Sequence, residues 1–198
     1  MTRRTRAEMI ETTRSKLLAT ARQAFATQGY ANTSMDDFTA AAGLTRGALY
    51  HHFGGKEGLL AAVVDQIDRE IDLRLQAISA AANNPWEGFR QRCRAYLELA
   101  IEPDIRRIVL QDARAVLGDI SPTAQGYCIA SMQELLQQLM DDGTVVAVDA
   151  QALAQMIYGV VTEGSFWIAE HEALHETRLQ QALDGLDLLL RGLLAQPR

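Results

Sequence analysis

Four histidines and two cysteines are the best potential metal ligands in this 198-residue chain, and two of the histidines stand in a suggestive frame. The stretch "HEALH", His171 to His175, reads letter for letter as the zinc-hydrolase signature H-E-x-x-H. There, two imidazoles on one helical face hold the metal and the glutamate between them serves as general base. The context denies that chemistry. The extended signature asks for a glycine and then a third histidine, and Arg178 and Gln181 occupy those two places. Residues 190–198 contain no acid to act as a downstream ligand, and Asp184 and Asp187 lie at unsuitable spacing. The motif also falls where two helices are expected to part. Cys93 and Cys128 show neither paired nor metal-ligand spacing, which suits a small buried apolar role. The expectation is no metal, no cofactor and no enzymatic activity.

A second group of side chains is built for a different task. Thr45, Arg46, Ala48, Tyr50 and His51 cluster in the short segment "TRGALYHH". Hydrogen-bond donors and a flat aromatic on one short helix suit the edges and phosphates of a DNA major groove. The charge balance points the same way. Residues 1–60 hold eight Lys+Arg against five Asp+Glu (+3), and residues 61–198 hold eleven against twenty (−9). A basic head on an acidic body suggests that only the head meets a polyanion.

The elements that must position these residues follow from periodicity, which is helical throughout with no sustained alternation. Leu17, Leu18, Ala21, Ala24 and Phe25 form one apolar stripe, ended by Gly29. Ser34 is placed to cap a second helix, with Asp37 three residues on, and Met35, Phe38 and Ala42 as its inner face. Gly43 permits a tight turn, Leu44 and Leu49 turn inward, and Thr45 caps a short third helix that Gly54-Gly55 breaks. From Lys56 a long amphipathic helix is expected to about Ala82, stopped by "NNP". Further helices are expected at Pro85–Ile101, Asp104–Val116, Ala124–Asp142, Asp149–His171 and Glu176–Ala195. The fold class is all-α: a three-helix helix-turn-helix head over 1–54 and a helical body over 55–198.

The run "TRSKLLATARQAFATQGYANTSMDDFTAAAGLTRGALYHHFGGKEGLL", about residues 13–60, resembles the N-terminal region of TetR-family transcriptional repressors along its whole length. The resemblance rests on Ala21, Phe25, Gly29 and Tyr30, on Thr33-Ser34, on "AAGLTRGALYHHF" and on "KEGLL". It implies a DNA-binding role for Thr33, Ser34, Thr45, Arg46, Gly47, Ala48, Tyr50, His51 and Lys56. Thr45 and Arg46 would reach base edges, Arg46 donating to a guanine. Gly47 would admit the DNA closely, and Ala48 would meet a thymine methyl. Tyr50, Lys56 and the Thr33 and Ser34 hydroxyls would grip phosphates. His51 would touch phosphate or base, while His52 and Phe53 pack. Arg3, Arg4 and Arg6 read equally as a charged arm or an idle tail. Gly55 departs from the family, which often has serine there, and one phosphate contact is lost with it.

For the body the resemblance implies an effector pocket and a four-helix dimer interface. Phe89, Tyr96, Tyr127, Met132 and Trp167 are candidate ligand contacts, with plain core the competing reading for each. The interface is assigned to Leu153, Ile157, Val161, Gly164 and Ile168 and to Leu179, Leu183, Leu186 and Leu190, whose leucines step by helical intervals. The expected protein is a ligand-responsive repressor, binding a pseudo-palindromic double-stranded operator as a homodimer and released by a small-molecule effector. No apolar leader or membrane-length segment is visible, and a cytoplasmic setting is expected.

Overall fold

The computed structural model describes residues 5–43, 45–118 and 122–195. The regular elements among them are helices: α1 Arg6–Gln28, α2 Met35–Ala41, α3 Arg46–Phe53, α4 Lys56–Ala81, α5 Pro85–Glu98, α6 Arg114–Leu117, α7 Pro122–Asp141, α8 Ala150–Ala169 and α9 His175–Arg191. Short 3-10 turns cover Leu99–Ile101 and Glu172–Leu174, and a π-helix covers Ile105–Ala113. No helix among the described residues is long and apolar enough to cross a membrane. The chain forms two compact units, residues 1–67 with 107–120, and residues 68–106 with 121–198.

In the smaller unit the starts of α1, α2 and α3 each have a chemical cause. Thr5 and Glu8 form a reciprocal capping box on α1. Ser34 accepts from the Asp37 amide to cap α2, and Thr45 accepts from the Ala48 amide to cap α3. Leu17, Phe25, Leu49, Leu59, Leu60 and Val63 are fully buried and knit α1, α3 and the start of α4 together. Gly58 is required by close approach, since a Cβ there would fall 1.9 Å from the Phe53 carbonyl oxygen. Leu44 lies outside the described residues, as do Arg3 and Arg4 of the possible arm; Arg6 begins α1.

The larger unit packs α5, α7, α8 and α9 around Phe89, Leu136, Leu139, Ala154, Val161, Ile168 and Leu190. Asp187 of α9 accepts from Arg94 at 2.6 Å and from Arg90 at 3.1 Å, tying α5 to α9. Past Gly192 the chain leaves the helix and pairs Val146 and Ala195 with Leu193 and Thr144 through backbone bonds of 3.0 and 2.9 Å. The last helix thus ends four residues earlier than its apolar pattern predicts. The helix expected over Asp104–Val116 is instead π-helical before a single α turn.

Candidate nucleic-acid interface

The recognition surface is built on α3. Leu49 is 0% exposed and anchors the helix, while Arg46, Gly47, Tyr50 and His51 stand exposed on the other side. The positions 46, 47, 50 and 51 share one face of a 3.6-residue repeat, so burying Leu49 presents them together. Gly47 is informative. A Cβ there would meet nothing closer than the Thr45 hydroxyl at 3.7 Å, so the fold itself does not demand glycine. A mid-helix glycine costs roughly 0.5–1 kcal/mol relative to alanine, and what it leaves is a bare patch of backbone open to an outside surface. Thr45 and Ser34 are exposed, although each hydroxyl oxygen already accepts a cap bond.

Arg46 is engaged with Asp36 of α2 through a two-pronged ion pair, both side chains more than half exposed. Exposed pairs contribute only about 0–1 kcal/mol, so a guanine or phosphate can take over the guanidinium at small cost. Lys56 sits with its ammonium 4.3 Å from the centre of the Tyr30 ring. Partial burial lowers its pKa, and the Asp112 carboxylate works against that. Burial, then the nearby Glu57, raises the Tyr30 pKa, so the ring stays neutral. Arg14 lies over the Phe53 ring at 5.5 Å, which accounts for Phe53 as a packing residue. A shallow hollow of about 460 Å³ opens beside Tyr50, Phe53 and Lys56.

One assigned contact must be withdrawn. Thr33 is buried, and its hydroxyl donates to the Gly29 carbonyl at 2.8 Å. The side chain closes a turn and has no free face for a phosphate.

In the larger unit the candidate ligand contacts divide. Phe89 and Met132 are buried. Tyr96 is half-buried, with its ring 6.2 Å from that of Tyr158 and its hydroxyl 3.5 Å from Thr162 Oγ1. Burial, then Tyr158, holds the Tyr96 pKa well above its ordinary value, and burial raises Tyr158 likewise. Tyr127 and Trp167 do not belong to this interior. Tyr127 is 62% exposed, and Trp167 lies on the outer face of α8 under the Arg178 guanidinium, 4.9 Å from its ring centre.

Sequence reasoning missed the most unusual group here, Arg92. It is only 2% exposed, and its Nη2 donates to Asp72 at 3.1 Å and to Ser131 at 2.6 Å, while Nε has no hydrogen-bond partner among the described residues. A signal was available: Arg92 follows Phe89 by three residues and precedes Tyr96 by four, which puts a charge on the inner face of α5. Around it burial pushes the Cys93 thiol up to about 12, and burial, then Asp72, pushes Cys128 up to about 11.

The interface assignment also needs correction. Ile157, Val161, Ile168, Leu183, Leu186 and Leu190 are each at most 7% exposed within the single chain. They face the protomer's own core and have no surface to offer a second copy. Gly164 faces α5, since a Cβ there would lie 3.0 Å from Leu97 Cδ2. Leu153 and Leu179 are half-buried. The exposed apolar side chains on the same two helices are Met156, Val160, Trp167, Leu188 and Leu189.

The HEALH stretch has its own local structure. His171 is extended (φ −131°, ψ 108°), Glu172–Leu174 form a 3-10 turn, and α9 begins at His175, so the two imidazoles do not share an α-helical face. Arg106 donates to Glu172 at 2.8 Å and lies 3.3 Å from His175 Nδ1. Among the described residues no group of three or more His, Cys, Asp or Glu side chains could hold a metal ion.

A capped pair of short helices with an exposed reading face, in a chain that also forms a second helical unit, defines a helix-turn-helix regulator of transcription. Known proteins agree. The family described as "Bacterial regulatory proteins, tetR family" matches residues 17–63, and "Tetracyclin repressor-like, C-terminal domain" matches residues 86–193. The crystal structure of a TetR-family transcriptional regulator from Pectobacterium atrosepticum is 63% identical. It superposes with a TM-score of 0.92, the match covering 98% of this chain and 100% of that one. The transposon Tn10 TetC protein of Escherichia coli is 25% identical over 179 residues, 89% of this chain and 86% of its own. The regulator TtgR of Pseudomonas putida is 40% identical over 72 residues, 36% of this chain and 34% of its own. The chain belongs to the TetR family of helix-turn-helix transcriptional regulators.

Proposed function

We propose that the protein is a repressor that binds a pseudo-palindromic operator as a homodimer and leaves it when a small effector occupies the larger unit. The exposed face of α3 carries this reading: Arg46, Gly47, Tyr50 and His51 stand out to solvent over a fully buried Leu49. Ser34, Thr45, Ala48 and Lys56 complete the DNA-binding set, Lys56 and Ser34 on phosphates and Arg46 on a base edge. Pairing of two protomers uses the exposed apolar face of Met156, Val160, Trp167, Leu188 and Leu189. Leu153 and Leu179 flank that face.

The effector is recognised around Phe89, Tyr96 and Met132 together with Arg92, Asp72 and Ser131. Buried ion pairs are costly to desolvate and contribute little to stability, so a polar group in this apolar interior is better explained by a ligand with a hydrogen-bonding handle. Release follows if the effector binds more tightly to a conformation unfit for the operator. The protein acts in the cytoplasm, without metal or cofactor, and catalyses no reaction.

The test is selection of bound duplexes from a random pool, together with mobility shifts on DNA flanking its own gene. The expected product is a two-fold-symmetric sequence whose half-sites lie about 34–36 Å apart or a multiple of that. Recovery of no common sequence would count against the operator reading.

A further inference from the structure

The smaller unit includes a piece of chain far from the helix-turn-helix in sequence. Within the π-helix Ile105–Ala113, Arg107 and Asp112 are five residues apart. An α-helix would put such residues about 140° apart around its axis. A π-helix bonds i to i+5 and closes its turn later, so they come to one side. Here they do: Arg107 Nε lies 3.5 Å from Asp112 Oδ2. Both side chains meet the turn that follows α1. Asp112 Oδ2 accepts from the Tyr30 backbone amide at 2.7 Å. The Arg107 guanidinium covers Gly29, where a Cβ would fall 2.0 Å from Nη2. Gly29 has φ 80° and ψ 160°, a conformation essentially confined to glycine, so the turn needs holding from outside. Its carbonyl takes the Thr33 hydroxyl, and the Tyr30 ring carries the Lys56 ammonium.

We infer that Arg107 and Asp112, aligned by the π-helical repeat, are positioning residues for DNA binding: they fix the Gly29–Tyr30 turn and, through the Tyr30 ring, hold Lys56 where it meets a phosphate. The inference rests on the reading of Lys56 as a phosphate contact. Asp112 acts through its acceptor oxygen and not through its charge, since a carboxylate near DNA by itself opposes binding. Asparagine keeps an oxygen for the Tyr30 amide and drops the charge; alanine drops both. The two substitutions therefore separate the roles.

The experiment uses the full chain and a labelled random-sequence duplex of about 30 base pairs, roughly three helical turns, titrated over a range of salt. Asp112→Ala should bind about three- to tenfold more weakly than Asp112→Asn and flatten the salt dependence by about one unit of slope, as Lys56→Ala should. Asp112→Asn should bind at least as tightly as the parent. Adding Asp112→Ala to Lys56→Ala should cost nothing further. Circular dichroism verifies the fold, and Asp112→Ser, too short to reach the amide, replaces the alanine variant if that one does not fold. Losses that add in full, or a parental salt slope in Asp112→Ala, overturn the positioning role and leave Lys56 as a phosphate contact. A parental salt slope in Lys56→Ala overturns both.

Discussion

At the scale of single residues, the DNA-facing set divides by what each side chain is already doing. Arg46 is held by Asp36, yet the pair is exposed and cheap to exchange. Its value to the complex is then specificity. Arg46→Ala should weaken binding to the selected operator by roughly 1–3 kcal/mol, the worth of a good bidentate base contact, and barely change binding to random DNA. Fluorescence anisotropy on both duplexes decides it; equal losses on the two would make Arg46 a phosphate contact. Asp36→Asn removes the competitor and should raise affinity for the selected operator. The exposure of Arg46, Tyr50 and His51 over a buried Leu49 was readable from residue type and position. The engagement of Thr33 was not, because a threonine next to a cap looks the same whether its hydroxyl faces a phosphate or the Gly29 carbonyl.

At the scale of elements, α3 is too short to persist alone, since isolated helices below about 12–15 residues are marginal in water. It depends on its caps and on the burial of Leu49. Leu49→Ala should therefore destabilise the protein by about 2–5 kcal/mol and remove DNA binding, although no contact residue is changed. Urea unfolding followed by circular dichroism measures the first effect, and an unchanged midpoint would refute the anchoring role. The caps Ser34 and Thr45 and the stop at Gly54 were legible because capping chemistry is local. The π-helix at Ile105–Ala113 was not. Apolar spacing reports which residues turn inward and cannot separate an i+4 from an i+5 bonding repeat over nine residues. Nothing in that spacing singles out Asp112.

At the scale of the whole molecule, periodicity assigned pairing to α8 and α9 and named faces of them that the protomer's own core covers. Both α8 and α9 carry apolar residues on more than one face, and a sequence does not say which face its own chain covers. The structure shows Leu186 and Leu190 covered and Val160 and Leu188 bare. Val160→Glu with Leu188→Glu would place four carboxylates across a two-fold interface, costing several kcal/mol unless the copies part. Sedimentation should show monomers with intact helices and a collapsed operator affinity. A double variant that remains dimeric would move the interface elsewhere. The same substitutions at Leu186 and Leu190 would unfold the protomer instead, and so would test nothing about pairing.

The two buried thiols carry a consequence of their own. Burial pushes the Cys93 and Cys128 thiols up to about 12 and about 11, so both are protonated near neutrality. Peroxides and thiol-exchange reagents attack the thiolate, and need access to it. Mild hydrogen peroxide should therefore add no oxygen to Cys93 or Cys128, and both cysteines should be alkylated by iodoacetamide at pH 8 only after denaturant is added. Rapid labelling of the folded protein would contradict this. A regulator whose two thiols are buried and protonated in this way should not change its cysteine chemistry as the cell's redox state swings.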